Sequence, residues 1–149
     1  MPKPTLEQLQ QLQAKLAKGF DPFVQYKLTS AEERGEVKAE LPVLPQYANA
    51  FGKMHGVLFF ALVDVIGTMA IIAGQDVRTV QPGVSLDTQV SFLLGADVGS
   101  TVVAEAKVLK YGKSVSFVEV EVRDKATSTL LAKGSMAKAM TTPPPTSKL

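Results

Sequence analysis

The chain has no cysteine and a single histidine, His55. The first absence excludes disulfides, thiolate metal ligands and a cysteine nucleophile, and it fits a reducing compartment. The second excludes a zinc site built on several imidazoles. Charge of one sign is also lacking: 16 Lys and Arg against 14 Asp and Glu leave a formal net charge of +2. No basic block or basic–aromatic interleaving marks a nucleic-acid surface, so no nucleic-acid partner is expected. Residues 1–19, MPKPTLEQLQQLQAKLAKG, are polar and carry Glu7, so no signal peptide is expected there. The one long apolar run, Val57 to Gly74, could span a bilayer by length. Asp64 would then sit near its middle, at a cost of about 2.5–3.5 kcal/mol. No basic asymmetry flanks the run, and no membrane span is expected.

What is present is the composition of a globular domain, with 46% hydrophobic and 20% charged residues. A chain of 149 residues has room for one domain with a sizeable core. Leu6, Leu9, Leu12 and Leu16 recur at helical spacing and predict a short amphipathic helix over 5–18. Two strand-like segments follow, Phe23 to Ser30 and Gly35 to Val43. In the second, Val37, Ala39 and Leu41 alternate with Glu36, Lys38 and Glu40. The apolar run predicts a helix from about 55 to 73, hydrophobic nearly all round and therefore covered on most sides. Four more strands are expected: Val84 to Phe92, Ser100 to Leu109, Ser114 to Arg123 and Thr129 to Met140. Hairpin-length links at 111–113 and 123–128 make the sheet antiparallel, hence an α+β domain whose sheet curls around one helix. The organisation is a helical extension over 1–20, a domain over 21–140 and a proline-bearing tail over 141–149.

Asp64 lies among Leu62, Val63, Val65 and Ile66. A carboxylate in such a helix is either a partly buried group paired with a donor, or a general base whose apolar setting raises its proton affinity. Asp64 alone does not decide between them. The helix start adds Asn49, Gly52, His55 and Gly56. Unpaired N–H groups there favour developing negative charge, and a glycine lets a ligand approach closely. They either build an oxyanion hole or simply shape a turn. Gly56 and Asp64 are eight residues apart, about 12 Å along a helix axis. A base and an oxyanion donor must both reach one small reacting group. If both act on one carbonyl, Asp64 must come from a second copy of the chain, across a two-fold axis.

The ordered set N49-A-F-G52-x-x-H55-G56, L62-V63-D64, P82-G83-V84-S85-L86-D87 and V108-L109-K110-Y-G112-K113-S114 resembles the hotdog-fold acyl-CoA thioesterases of the phenylacetate-degradation type. The resemblance covers about Lys38 to Lys138. It implies a hotdog fold, a homodimer or dimer of dimers, and hydrolysis of an acyl-CoA without metal or cofactor. It implies that Gly56 N–H and Asn49 polarise the thioester carbonyl. Asp64 of the partner subunit, helped by Ser85, would activate the water. His55 would support the loop or the leaving thiolate, and the Gly112-Lys113 turn would contact the nucleotide end of CoA. Where the family often has a second glycine after the histidine, this chain has Val57. Competing readings are a non-catalytic acyl-CoA-binding dimer and a hotdog hydratase or dehydratase.

The chain ends in Ser147-Lys148-Leu149, the tripeptide read by the peroxisomal import receptor. A peroxisomal location is expected on that signal, with the cytoplasm as the alternative.

Overall fold

The structure is a computed structural model, and it describes residues 1–140. The C-terminal tripeptide lies outside the described residues. The first helix, α1 (Leu6–Leu16), begins at Thr5, whose hydroxyl accepts the Gln8 N–H while the Gln8 side chain returns to the Thr5 N–H. Its apolar face seats Leu9, fully buried, in the core. Six strands and a second helix follow: β1 (Lys27–Glu32), β2 (Glu36–Pro42), α2 (Gly56–Ala73), β3 (Val84–Phe92), β4 (Thr101–Lys110), β5 (Val115–Asp124) and β6 (Leu130–Ala139). All pairings are antiparallel, in the order β1-β2-β4-β5-β6-β3.

Every strand touches α2. Six strands spaced about 4.8 Å apart span roughly 24 Å between the outermost strands, whereas a helix is about 10–12 Å across. A flat sheet could not reach one helix with all six strands, so the sheet curls around it. This is the hotdog fold expected from the sequence. The inner face carries Val37, Ala39 and Leu41 from β2, Val102, Ala104 and Ala106 from β4, and Val118, Val120 and Val122 from β5, all buried. The apolar character of α2 is therefore used within the fold: 12 of its 18 residues are buried. The outer face is held in water by ion pairs, among them Lys38–Glu105 at 3.3 Å and Lys107–Glu36 at 3.2 Å.

Two segments differ from the periodicity. The first strand starts at Lys27 rather than Phe23, because Asp21-Pro22-Phe23 forms a 3-10 turn closed by the Val24 N–H on Asp21 O. Strict alternation also places Ser85 opposite Val84 and Leu86 along one uniform strand. Instead β3 carries a bulge between Ser85 and Asp87. The bulge puts Ser85 in the same phase as Thr88, Val90 and Phe92, facing α2, and leaves Leu86 and Val84 59% and 54% exposed.

The two sheet edges are treated differently. α1 covers β1, with Gln10 and Gln13 donating to Leu28 O and Tyr26 O. Strand β3 has no such cover among the described residues, and none of its nine residues is buried.

Candidate active site

α2 begins at His55, which leaves the helical region at φ −61°, ψ 140°. Its Nδ1 accepts the Val57 N–H at 3.0 Å, so the imidazole is a helix cap. The Leu58 N–H bonds His55 O. The Gly56 N–H is left without an acceptor among the described residues, at the positive end of an 18-residue helix.

The Asn49 loop is folded against this end. Gly52 turns it at φ +75°, Ala48 bridges Met54, and the His55 N–H bonds Tyr47 O at 2.7 Å. Asn49 Oδ1 accepts two backbone donors, Phe51 N–H at 2.9 Å and Lys53 N–H at 3.2 Å. With its oxygen so engaged, the amide is fixed and Nδ2 remains a donor.

Asp64 is half-buried two turns further along α2. Ser85 Oγ donates to Asp64 Oδ1 at 2.6 Å within the same chain, a contact the β3 bulge makes possible. Such a bond orients the carboxylate and leaves Oδ2 for another proton. Thr68, one turn on, donates to Asp64 O at 2.7 Å. Lys138, on β6 and directly opposite Ser85 in the register, donates its Nζ to Thr68 Oγ1 at 2.5 Å. It is only 4% exposed. Burial pushes the Lys138 ammonium below the usual lysine range, and the Asp64 and Asp21 carboxylates pull it back up.

Asp64, Thr68 and Lys138 open onto a groove of about 360 Å³. Its other walls include Leu16 and Gln13 of α1, Val24, Tyr26, Val65 and Met69. Burial pushes the Tyr26 hydroxyl up to about 12. A smaller cleft, about 220 Å³, lies on the outer sheet face among the ion-paired Glu36, Lys38, Glu105 and Lys107, away from these groups.

The structure brings Ser85 to Asp64 and folds the Asn49 loop onto the start of α2 at His55 and Gly56, and keeps the two groups apart. With the helix starting at Gly56, the separation along its axis is about 12 Å. Gly112 and Lys113 join neither pair. They form the β4–β5 hairpin beyond the C-terminal end of α2, about 27 Å from Gly56 along the 18-residue helix. A Cβ on Gly112 would stand 1.8 Å from Val115 O, so the hairpin itself requires glycine there.

A model of the thioesterase superfamily matches residues 51–130, the span that holds Gly56, Asp64 and Ser85. Acyl-coenzyme A thioesterase 13 from Homo sapiens is 38% identical over 104 residues, 70% of this chain and 72% of that protein.

The chain belongs to the thioesterase superfamily.

It is a thioester hydrolase, homologous to acyl-CoA thioesterases. Among solved structures, the zebra fish thioesterase superfamily member 2 superposes with a TM-score of 0.84 at 33% identity, over 93% of this chain and 99% of that one. A Streptococcus mutans protein bound to acetyl CoA shares the fold, with a TM-score of 0.71 at 22% identity over 79% of this chain and 90% of that one.

Within this thioesterase the large apolar side chains around the start of α2 divide by exposure. Met54 and Phe59 are core residues, 2% and 3% exposed, whereas Phe51 and Phe60 are 89% and 44% exposed. The sequence reading missed Lys138. Its signal was the phase of β6, where Ala132, Gly134 and Met136 are inward residues and Lys138 falls on the same face.

Proposed function

We propose that this thioesterase hydrolyses acyl-CoA thioesters at sites shared between two copies of the chain. The observation that carries the reading is the Ser85–Asp64 bond at 2.6 Å, an oriented carboxylate held about 12 Å from the free Gly56 N–H of its own helix. In the reading, the carbonyl oxygen of the thioester accepts from Gly56 N–H and Asn49 Nδ2 of one copy. Asp64 of the partner subunit takes a proton from water, whose oxygen forms the new bond to the carbonyl carbon. The carbon–sulfur bond then breaks, and the proton goes to the departing CoA thiolate. The His55 imidazole holds the donor end of the helix rather than touching the reaction.

The surface supports a two-fold partner. The unpaired β3 edge with Val84 and Leu86, and the exposed Val57 and Phe60 of α2, are the apolar features such a partner would cover. The CoA nucleotide would lie outside the fold on the Gly56 side. A role for Lys113 there fits only if the hairpin comes from another copy. For the location, the proposal remains the peroxisome through Ser147-Lys148-Leu149. A fluorescent protein fused to the N-terminus should be punctate and turn diffuse when the tripeptide is removed.

The experiment is thiol release from short, medium, long-chain and aromatic acyl-CoAs. Asp64→Asn should retain binding and lose a hundredfold or more in rate, about the range for a removed general base. Gly56→Pro tests the other half. Proline is compatible with the first helical position and with the extended conformation of His55, and it deletes the N–H donor. Each variant should be nearly inactive alone. Co-assembled, they should regain activity, because one site of each mixed dimer is intact. No recovery would place both groups in one chain's site and end the shared-site reading. Wild-type binding without thiol release would leave an acyl-CoA-binding protein.

A further inference from the structure

Lys138 is the feature that catalysis as described above does not use. A lysine that is 4% exposed and bonded to one neutral hydroxyl is costly to keep. Hydrophobic replacements of buried charges are often neutral or stabilising, so its place calls for a reason other than stability.

Its neighbours are polar in a mostly apolar interior. In the sheet register Lys138 stands opposite Ser85 of β3 on one side and Ser116 of β5 on the other, so the three form a polar row across the inner face. Ser116 is 1% exposed, and its hydroxyl has no hydrogen-bond partner among the described residues. Facing the row from α2 are Asp64 and Thr68. The groove before it is lined by Asp21 and Tyr26 of the segment leading into β1, and α1 with its C-cap Ala17 contributes the neutral Gln13, Leu16 and Ala17. Among the described residues, the charged groups that face Lys138 are Asp64 and the exposed Asp21.

Asp64 is held from two adjacent strands. Ser85 takes its carboxylate, and Lys138, through Thr68, takes its backbone carbonyl. We propose that Lys138 is a positioning residue for hydrolysis, a buried cation that favours the ionised Asp64 and locks its helical turn through Thr68. Attraction between an ammonium and a carboxylate is mutual. The Lys138 ammonium reaches the turn of Asp64 through the Thr68 hydroxyl, and its sign is opposite to the negative charge Asp64 must carry to accept a proton from water. The need is greatest when a second subunit covers the site and removes water from the carboxylate. This inference rests on the reading of Asp64 as the base.

The test is the pH profile of kcat/KM for thiol release, from pH 5 to 9, on the full-length protein. Four variants are compared with wild type: Asp64→Asn, Lys138→Met, Lys138→Arg and Thr68→Val. Circular dichroism and Tm confirm the fold of each. Lys138→Met should move the acid limb up by about one pH unit or more, the effect expected for loss of a nearby opposite charge. The deficit would approach about tenfold on the acid side of both limbs and vanish on their alkaline side, which a merely structural lesion would not do. Lys138→Arg, which keeps the charge, should hold the limb close to wild type even if its overall rate is lower. Thr68→Val should lower kcat evenly across pH with the limb in place. An unmoved acid limb in Lys138→Met, whether the rate falls uniformly or not at all, overturns the proposal. So does a defect confined to KM for acyl groups ending in a carboxylate, which would make Lys138 a ligand cation of the groove. If Lys138→Met does not fold, a Lys138→Arg limb displaced as far as a Lys138→Gln limb overturns it equally. Asp64→Asn as fast as wild type removes the base and this role together, whereas a failure of Lys138 alone leaves the base standing.

Discussion

At the scale of single residues, the site depends on which atoms of a few polar side chains are already committed. Asn49 spends its oxygen on two loop N–H groups, and His55 spends Nδ1 on Val57. Among the described residues, what remains free is the Asn49 amide nitrogen and the Gly56 N–H, both donors, with the Nε2 of the His55 ring beside them. A pair of donors suits a developing oxyanion and not a cation. Ser85 commits its proton to Asp64 Oδ1. Ser85→Ala should lower kcat by about tenfold or more with KM nearly unchanged, in line with a lost hydrogen bond to a charged group. Steady-state kinetics on the best acyl-CoA of the panel checks this. An unchanged kcat would mean that Asp64 is oriented by other contacts. Ser85 was named from its place in the P82-G83-V84-S85-L86-D87 motif, and alternation alone would have turned it away from the helix. The motif identified the residue, and the bulge at Leu86 explains how it arrives.

At the scale of elements, α2 is fixed at both ends by side chains from elsewhere. His55 caps its start, and Tyr111 of the β4–β5 hairpin caps its end, with Oη donating to Ala70 O at 3.1 Å. Gly35 and Gly74 make room for that ring: a Cβ on either would fall about 2 Å or less from Tyr111 Oη, at 2.1 and 1.6 Å. Burial pushes the Tyr111 hydroxyl up to about 12. The folded value is raised above the ordinary tyrosine value of about 10, so the stabilisation is complete below pH 10 and is lost as pH rises toward 12. Tyr111→Phe should cost about 1 kcal/mol at neutral pH and should show a shallower loss of stability between pH 10 and 12. Urea melts at pH 7 and across pH 10 to 12 read the two effects. β6 receives α2 just as closely. A Cβ on Gly134 would meet the Val63 methyls at 2.6 and 2.8 Å, so Gly134→Ala should lower stability by about 1–3 kcal/mol through overpacking, measurable in the same melts.

At the scale of the whole molecule, the asymmetry of the two sheet edges bears on function. α1 covers one edge, and the other presents Val84 and Leu86 to solvent. If the sites are shared, Leu86→Glu should dissociate the assembly in light scattering and abolish thiol release, although every catalytic side chain is intact. A fully active monomer would refute shared sites. The sequence by itself determined a great deal here. Periodicity sets the six strands and both helices to within a few residues, because β2, β4, β5 and β6 each have a buried face and α2 is buried nearly all round. The spacing of Gly56 and Asp64 on one helix is a matter of helical rise, so their separation was legible before any coordinates. Only the tertiary structure decided which strands are neighbours, because edge and centre depend on long-range pairing that local pattern does not encode. That pairing put Lys138 between Ser85 and Ser116. The bulge turned Ser85 toward Asp64, and the register then carried the Lys138 ammonium to Thr68, one helical turn away.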